Sequence, residues 1–224
     1  MRLILIRHGQ TPSNVDHFLD TAVPGPGLTE LGLGQAAALP EALAGEPVDA
    51  VYASNLVRTQ LTAAPLAAAL GLPVEVRAGL REVSAGSLEM RNDREAITGY
   101  LKTVYSWVKG DLDVHMPGGP DGHETFDRFD AVIAELRAAG LSTPVVVSHG
   151  AMIRAWCSSR AANVEPDFIV DNALSNTGVA VMELPDGGGA AGPWKLLTWM
   201  GEAVGGRELR DYGEDGPAAE DVKL

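Results

Sequence analysis

Two histidines in this chain follow apolar runs with no spacer. The run Leu3–Ile6 passes directly into Arg7-His8-Gly9, and "TPVVVS" (143–148) passes into His149-Gly150. Two further runs end on functional groups as well. "DAVYA" leads into Ser54, with Arg58 one helical turn on, and "PVEVRAGL" leads into Arg81-Glu82. In an open α/β sheet, ligands bind beyond the carboxyl ends of the strands. If these runs are parallel strands, two histidines, two or three arginines and one glutamate share an edge. Such a set suits phosphoryl chemistry. The guanidinium forks of Arg7 and Arg58 match phosphate oxygens. A neutral His8 imidazole is a competent nucleophile that would form a phosphohistidine, and His149 can donate to the phosphoryl oxygens as charge develops. Glu82 can protonate the leaving alkoxide and then deprotonate water, provided burial or the incoming phosphate raises its pKa.

The elements that must position these groups alternate along the chain. The apolar, β-branched runs read as short buried strands. Between them, "TELGLGQAAALPEALAG" and "LVRTQLTAAPLAAALG" read as helices, with Gly45 and Gly71 at C-cap positions. Pro65 predicts a kink or a late start in the second. Thr11-Pro12 reads as a helix start, and Ser54 as a cap for the next helix. Helix N-termini aimed at the site would offer N–H groups to a phosphate. Gly9 and Gly150 would let backbone approach closely. The expected fold is α/β: a three-layer sandwich with a mostly parallel central sheet. An antiparallel edge is expected from "TGVAVMEL" and "WKLLTWM", which flank "PDGGGAAGP". Residues 87–128 mix charges with aromatics and read as a helical cap or lid insertion within a single domain spanning 1–200. Residues 201–224, with seven acids against three bases, read as a flexible acidic tail.

Composition narrows the function classes. With 46% hydrophobic and 21% charged residues the chain reads as a soluble globular protein. It contains no stretch of the length a membrane helix needs and no signal-peptide pattern. A net charge of −13 argues against nucleic-acid binding and leaves an anion site dependent on local positive groups. One cysteine, Cys157, excludes an internal disulfide framework, fits a reducing cytoplasmic setting and reads as a buried apolar residue.

At these residues the sequence resembles the histidine phosphatases of the phosphoglycerate mutase-like superfamily. The signature R-H-G-x-T-x-x-N stands as Arg7 to Asn14. "LTELGLGQA" (28–36), "YASNLVRTQLTA" (52–63), "LREVSAG" (80–86), "VSHGAMIRA" (147–155) and "SNTGVAVME" (175–183) follow in the family's order. The resemblance implies His8 as the phosphorylated nucleophile, with Arg7, Arg58 and His149 completing the phosphate pocket and Glu82 as proton donor. Asn14 is implied as a further ligand, and Gln10, Thr11 and Gly150 belong to the substrate-binding set. It implies no metal and no organic cofactor, a small phosphorylated substrate as partner, and is compatible with a homodimer. Three departures touch the substrate side. Gln10 replaces a glutamate frequent in the mutases, and Ser87-Leu88-Glu89 replaces an aromatic continuation after Glu82. "PGGPDGHETF" extends the family's P-G-G-E-S loop, so that Glu124-Thr125 stands for Glu-Ser and His123 either contacts substrate or is exposed.

The function expected is a phosphomonoesterase acting on a small phosphorylated metabolite. A phosphoglycerate mutase is the alternative, and would need extra cap bases to hold a second anion. The segment's Arg91, Arg94, Lys102, Lys109 and Arg128 are balanced by acids, which favours hydrolysis. A non-catalytic phospho-ligand binder would lose the nucleophile or the acid, and both are kept. His115 and His123 fit no metal spacing. Tyr105 and Trp107 are either cap packing or substrate contacts.

Overall fold

The computed structural model describes residues 1–185, 193–210 and 216–217. Most of "PDGGGAAGP" and half of the expected acidic tail lie outside the described residues. Six strands form one sheet: β1 (Arg2–Arg7), β2 (Ala50–Ala53), β3 (Val74–Val76), β4 (Pro144–Ser148), β5 (Val179–Glu183) and β6 (Lys195–Met200). Among the described residues eight α-helices surround it: α1 (Pro12–Val15), α2 (Glu30–Ala37), α3 (Leu39–Ala42), α4 (Val57–Leu70), α5 (Arg94–Val108), α6 (Gly122–Ala138), α7 (Gly150–Arg160) and α8 (Phe168–Asp171). The strand order is β3-β2-β4-β1-β5-β6. β3, β2, β4 and β1 are mutually parallel. β5 and β6 run antiparallel and close one edge.

Side-chain alternation on β1 makes the three layers. Leu3 and Leu5 face a core shared with Trp107, Phe126, Phe129 and Trp156. Ile4 and Ile6 face the opposite core with Leu39, Ala63, Leu66 and Val204. Each fully buried aliphatic side chain contributes about 1.5–3 kcal/mol relative to exposure, so a strand buried on both faces anchors the sheet centre. The expected cap does not stand off as a separate lid. Tyr100, Val104 and Trp107 of α5 and Phe126 and Phe129 of α6 belong to the same core as the sheet, which also assigns Trp107 to packing. Tyr105 hydrogen-bonds Asp167 through its hydroxyl. The first part of the expected tail also packs, with Ala203 and Val204 buried and the Leu209 carbonyl accepting from Gln35 Nε2 at 2.9 Å.

Several local expectations are corrected. The segment after Leu28 forms two helices, α2 and α3, because Pro40 lacks the N–H needed to continue the first. α3 is capped at Leu43 rather than Gly45. α4 starts at Val57 and runs through Pro65, so no late start occurs. Gly71 does end it, with φ 67° in the left-handed region that glycine adopts without strain.

Candidate active site

The register of the central pair brings the two histidines together. Arg7 of β1 lies opposite Ser148 of β4, so the next residues, His8 and His149, emerge side by side from adjacent carboxyl ends. Their ring centroids are 5.2 Å apart at 62°. β2 flanks β4, with Ala53 opposite Val147, which delivers Ser54 to the same edge.

The tautomer of His8 follows from one hydrogen bond. Its Nδ1 lies 2.8 Å from the Gly9 carbonyl oxygen. A carbonyl only accepts, so Nδ1 carries the proton and Nε2 keeps its lone pair. Burial, then the Arg58 and Arg7 charges, hold the His8 pKa well below the ordinary histidine value, which keeps the ring neutral. His149 is depressed in the same direction, by burial first and by Arg58 next. Its Nε2 lies 2.8 Å from Ser54 Oγ, while Nδ1 is buried with no hydrogen-bond partner among the described residues. Ser54 does not cap α4, whose N-cap is Leu56. Its hydroxyl instead meets the Leu56 N–H, Thr59 and His149.

Arg7, His8, Thr11, Asn14, Arg58 and Glu82 line one narrow pocket, together with Ser13, Phe18, Leu19, Asp20, Thr21, Tyr100 and Pro217. Arg7 Nη1 donates to the Leu174 carbonyl at 2.6 Å. Arg58 Nη2 donates to the Asp20 carbonyl at 2.9 Å, and Asp20 Oδ1 lies 3.9 Å from Nη1. Nε and Nη1 of Arg58 are buried with no hydrogen-bond partner among the described residues. Leaving such donors unmet in the interior is costly, and an anion in the pocket would meet them. Asn14 is oriented by Thr11 and Asn176, which both donate to its Oδ1. That leaves the Asn14 amide nitrogen as the donor end.

Glu82 is not at a strand end. β3 stops at Val76, and a 3-10 turn over Ala78–Leu80 carries the chain back toward the site. The Leu80 carbonyl is fixed by Ser148 Oγ at 2.8 Å, and the Glu82 carbonyl by Arg128 Nη2 at 2.9 Å. The carboxylate of Glu82 accepts from the N–H groups of Val83 at 2.8 Å, Met152 at 2.9 Å and Ala151 at 3.3 Å. The N-terminus of α7 is therefore spent on Glu82 rather than on a phosphate. Gly150 is its first residue. Burial raises the Glu82 pKa, against the opposing pull of the Val83 N–H, Arg58 and the α7 amides.

Other expected residues fall outside the pocket. Gln10 turns to Thr29, whose hydroxyl donates to its Oε1 at 2.8 Å. His123 is exposed in the first turn of α6, with Nε2 3.4 Å from Asp113 Oδ1. The reason is the helix start: Asp121 caps the Glu124 N–H, and it is Glu124 that lines a second cavity beside Glu82. Further residues hold the pocket side chains in place. Asn176 Nδ2 donates to the His8 carbonyl at 2.9 Å, and Thr177 N–H to the Arg7 carbonyl at 3.1 Å. Glu89 accepts from Thr21 N at 2.8 Å, Thr21 Oγ1 at 2.5 Å and Ala22 N at 2.9 Å, tying the Asp20 loop to the Glu82 segment. The "SNTG" motif was the available signal for Asn176. Nothing local marks Glu89. Among the described residues no group of three or more His, Cys, Asp and Glu could hold a metal, and no helix is long and apolar enough to cross a membrane.

The family model for the histidine phosphatase superfamily (branch 1) matches residues 3–196. The chain belongs to the histidine phosphatase superfamily. This histidine phosphatase chain is 37% identical over 220 residues to a PE-PGRS family protein of Mycobacterium tuberculosis, covering 91% of the chain but only 37% of that protein. It is 34% identical over 153 residues to adenosylcobalamin/alpha-ribazole phosphatase of Escherichia coli, covering 66% of the chain and 73% of that enzyme. The solved structure of a mycobacterial glucosyl-3-phosphoglycerate phosphatase with VO3 superposes with a TM-score of 0.71 at 26% identity, covering 89% of this chain and 98% of that one. Its sequence relatives and structural neighbours thus include phosphatases with different named substrates.

Proposed function

We propose that this histidine phosphatase hydrolyses a small phosphate monoester through a phosphohistidine on His8. The observation that carries the reading is the pairing, among the described residues, of a neutral imidazole whose Nε2 lone pair is uncommitted with buried Arg58 donors that no hydrogen bond meets. Arg7, Arg58, His149 and the Asn14 amide bind the phosphoryl oxygens. His8 Nε2 attacks phosphorus as the ester P–O bond breaks, and Glu82 passes its proton to the departing alkoxide. Water then attacks the phosphohistidine, Glu82 takes a proton from it, and inorganic phosphate leaves with His8 regenerated. His149 and the arginines stabilise the charge that builds on the equatorial oxygens. The raised pKa of Glu82 supports its acid role.

Hydrolysis is favoured over phosphoryl return to a second hydroxyl by where the expected cap bases lie. Arg128 holds the Gly79, Arg81 and Glu82 carbonyls, Arg91 pairs with Asp93, and Lys109 pairs with Asp167. None of the three lines the cavities beside Glu82. The test is phosphate release from an aryl phosphate in EDTA, with trapping of a phosphoenzyme in alkaline detergent. Wild type should turn over and carry acid-labile phosphate on one histidine, and His8→Ala should do neither. Turnover by His8→Ala at the wild-type rate would sink the proposal.

A further inference from the structure

A second cavity of about 490 Å³ opens beside the phosphate pocket and shares Thr21 and Glu82 with it. That volume lies in the range of sites holding small organic ligands. Because Glu82 is the proposed proton donor to the leaving group, the alcohol half of the ester must occupy this space. Its wall is therefore the specificity surface, and the inference drawn from it rests on the function proposed above.

The wall has a definite chemical character. Three carboxylates line it, Glu82, Glu89 and Glu124, against one guanidinium, Arg81. Glu89 is immobilised by its three donors from Thr21 and Ala22, so it cannot swing away from an incoming anion. Ser84 adds a hydroxyl whose oxygen accepts from the Gly86 N–H at 3.3 Å. No aromatic ring lines the cavity, so a planar base has no stacking platform there. The wall is rich in acceptors and negative in sign.

We infer that the cavity selects the phosphate ester of a non-aromatic, hydroxyl-rich alcohol that carries no carboxylate or second phosphate, with Glu89 and Glu124 as the specificity-determining residues. Hydroxyl protons of the alcohol meet carboxylate acceptors, whereas a carboxylate on the substrate meets like charge and desolvates it without a partner. Arg81, exposed at the rim, is the single group that could offset this.

The matched probes are glycerol 3-phosphate and 3-phosphoglycerate, which differ by CH2OH against carboxylate. Each is assayed as a competitive inhibitor of aryl phosphate hydrolysis, and the ratio of the two Ki values is the readout, since a general loss of activity cancels in it. Wild type should bind glycerol 3-phosphate about tenfold more tightly. Glu124→Lys should compress that ratio by about three- to tenfold, the size expected for like charges screened by water, and Glu124→Gln by less. Equal or tighter binding of 3-phosphoglycerate to wild type overturns the inference, as does a ratio unmoved by both Glu124→Lys and Glu89→Gln. Absence of aryl phosphate hydrolysis is a different result: the function itself fails, and this inference falls with it.

Discussion

Glu82→Gln separates proton donation from positioning better than any other substitution in the site. The glutamine keeps the shape and one acceptor. That oxygen can stay on the Val83 and Met152 N–H groups, now 2.8 and 2.9 Å from Oε1. The new NH2 then faces the Ala151 N–H, which the second oxygen of Glu82 accepts at 3.3 Å. One donor facing another in the interior costs about 1–3 kcal/mol, a loss visible in thermal melts but not one that unfolds a typical domain. Chemistry should suffer more selectively. General acid catalysis contributes about 10²- to 10⁴-fold, or about 2.7 to 5.4 kcal/mol of barrier. It matters only where the leaving oxygen needs a proton. Turnover of an alkyl phosphate should therefore fall by that factor, while an aryl phosphate, whose phenolate departs unaided, should lose only a few-fold. The pH profile gives a second reading. Burial lifts the folded-state pKa of Glu82 above the ordinary carboxyl value of 4.5, so the active protonated form is lost on the alkaline side of that raised value. The corresponding limb of kcat/KM for the alkyl ester should vanish in Glu82→Gln. Equal losses on both esters, with the limb intact, would refute the acid role and leave Glu82 as a brace for α7.

Three further outcomes are expected. Gly9→Ala should destabilise by about 1–3 kcal/mol in denaturant melts, because its Cβ would sit 2.7 Å from the Gly32 carbonyl oxygen and neither backbone can yield easily. Asn176→Ala removes the donor to the His8 carbonyl and to Asn14 Oδ1; it should cost about 1–3 kcal/mol and raise KM for aryl phosphate, and a variant matching wild type in both would show that Asn176 does not orient the site. His8 and His149 are held below the ordinary histidine value of 6.5, so the unfolded chain binds more protons than the folded one as pH drops past 6.5. Stability should fall in that window by up to about 1.4 kcal/mol per pH unit for each imidazole, and His8→Asn should flatten the slope measured by urea unfolding.

What could be read from the sequence was what is written locally. A β-branched run that stops on Arg7-His8, and another that stops on Ser148-His149, state both the strand and the delivery of its last residues. Parallel pairing then does the rest, because register alone makes those ends neighbours. Glu82 was legible as an acid but not as to its route. The strand ends six residues earlier, and the return depends on Ser148 and Arg128 gripping carbonyls in a turn with no periodic signature. The contacts of Glu89 and Asp20 were not legible because their partners lie across loops, where no spacing rule applies. His123 was left open between contact and exposure for a simpler reason. Asp121 sets the start of α6, and one helical position, 100° of rotation, decides which of His123 and Glu124 faces the cavity.

The adjacency of β1 and β4 also ties activity to chain topology. His8 and His149 are 141 positions apart in sequence (149 − 8) and meet only through that strand pair. Closing a loop of that length costs about 4 kcal/mol of chain entropy, and such non-local contacts slow folding. No partly folded species that lacks the β1–β4 pairing can present both imidazoles to one phosphate. Recovery of turnover during refolding therefore clocks the closure of this long loop, whatever the helices have already done.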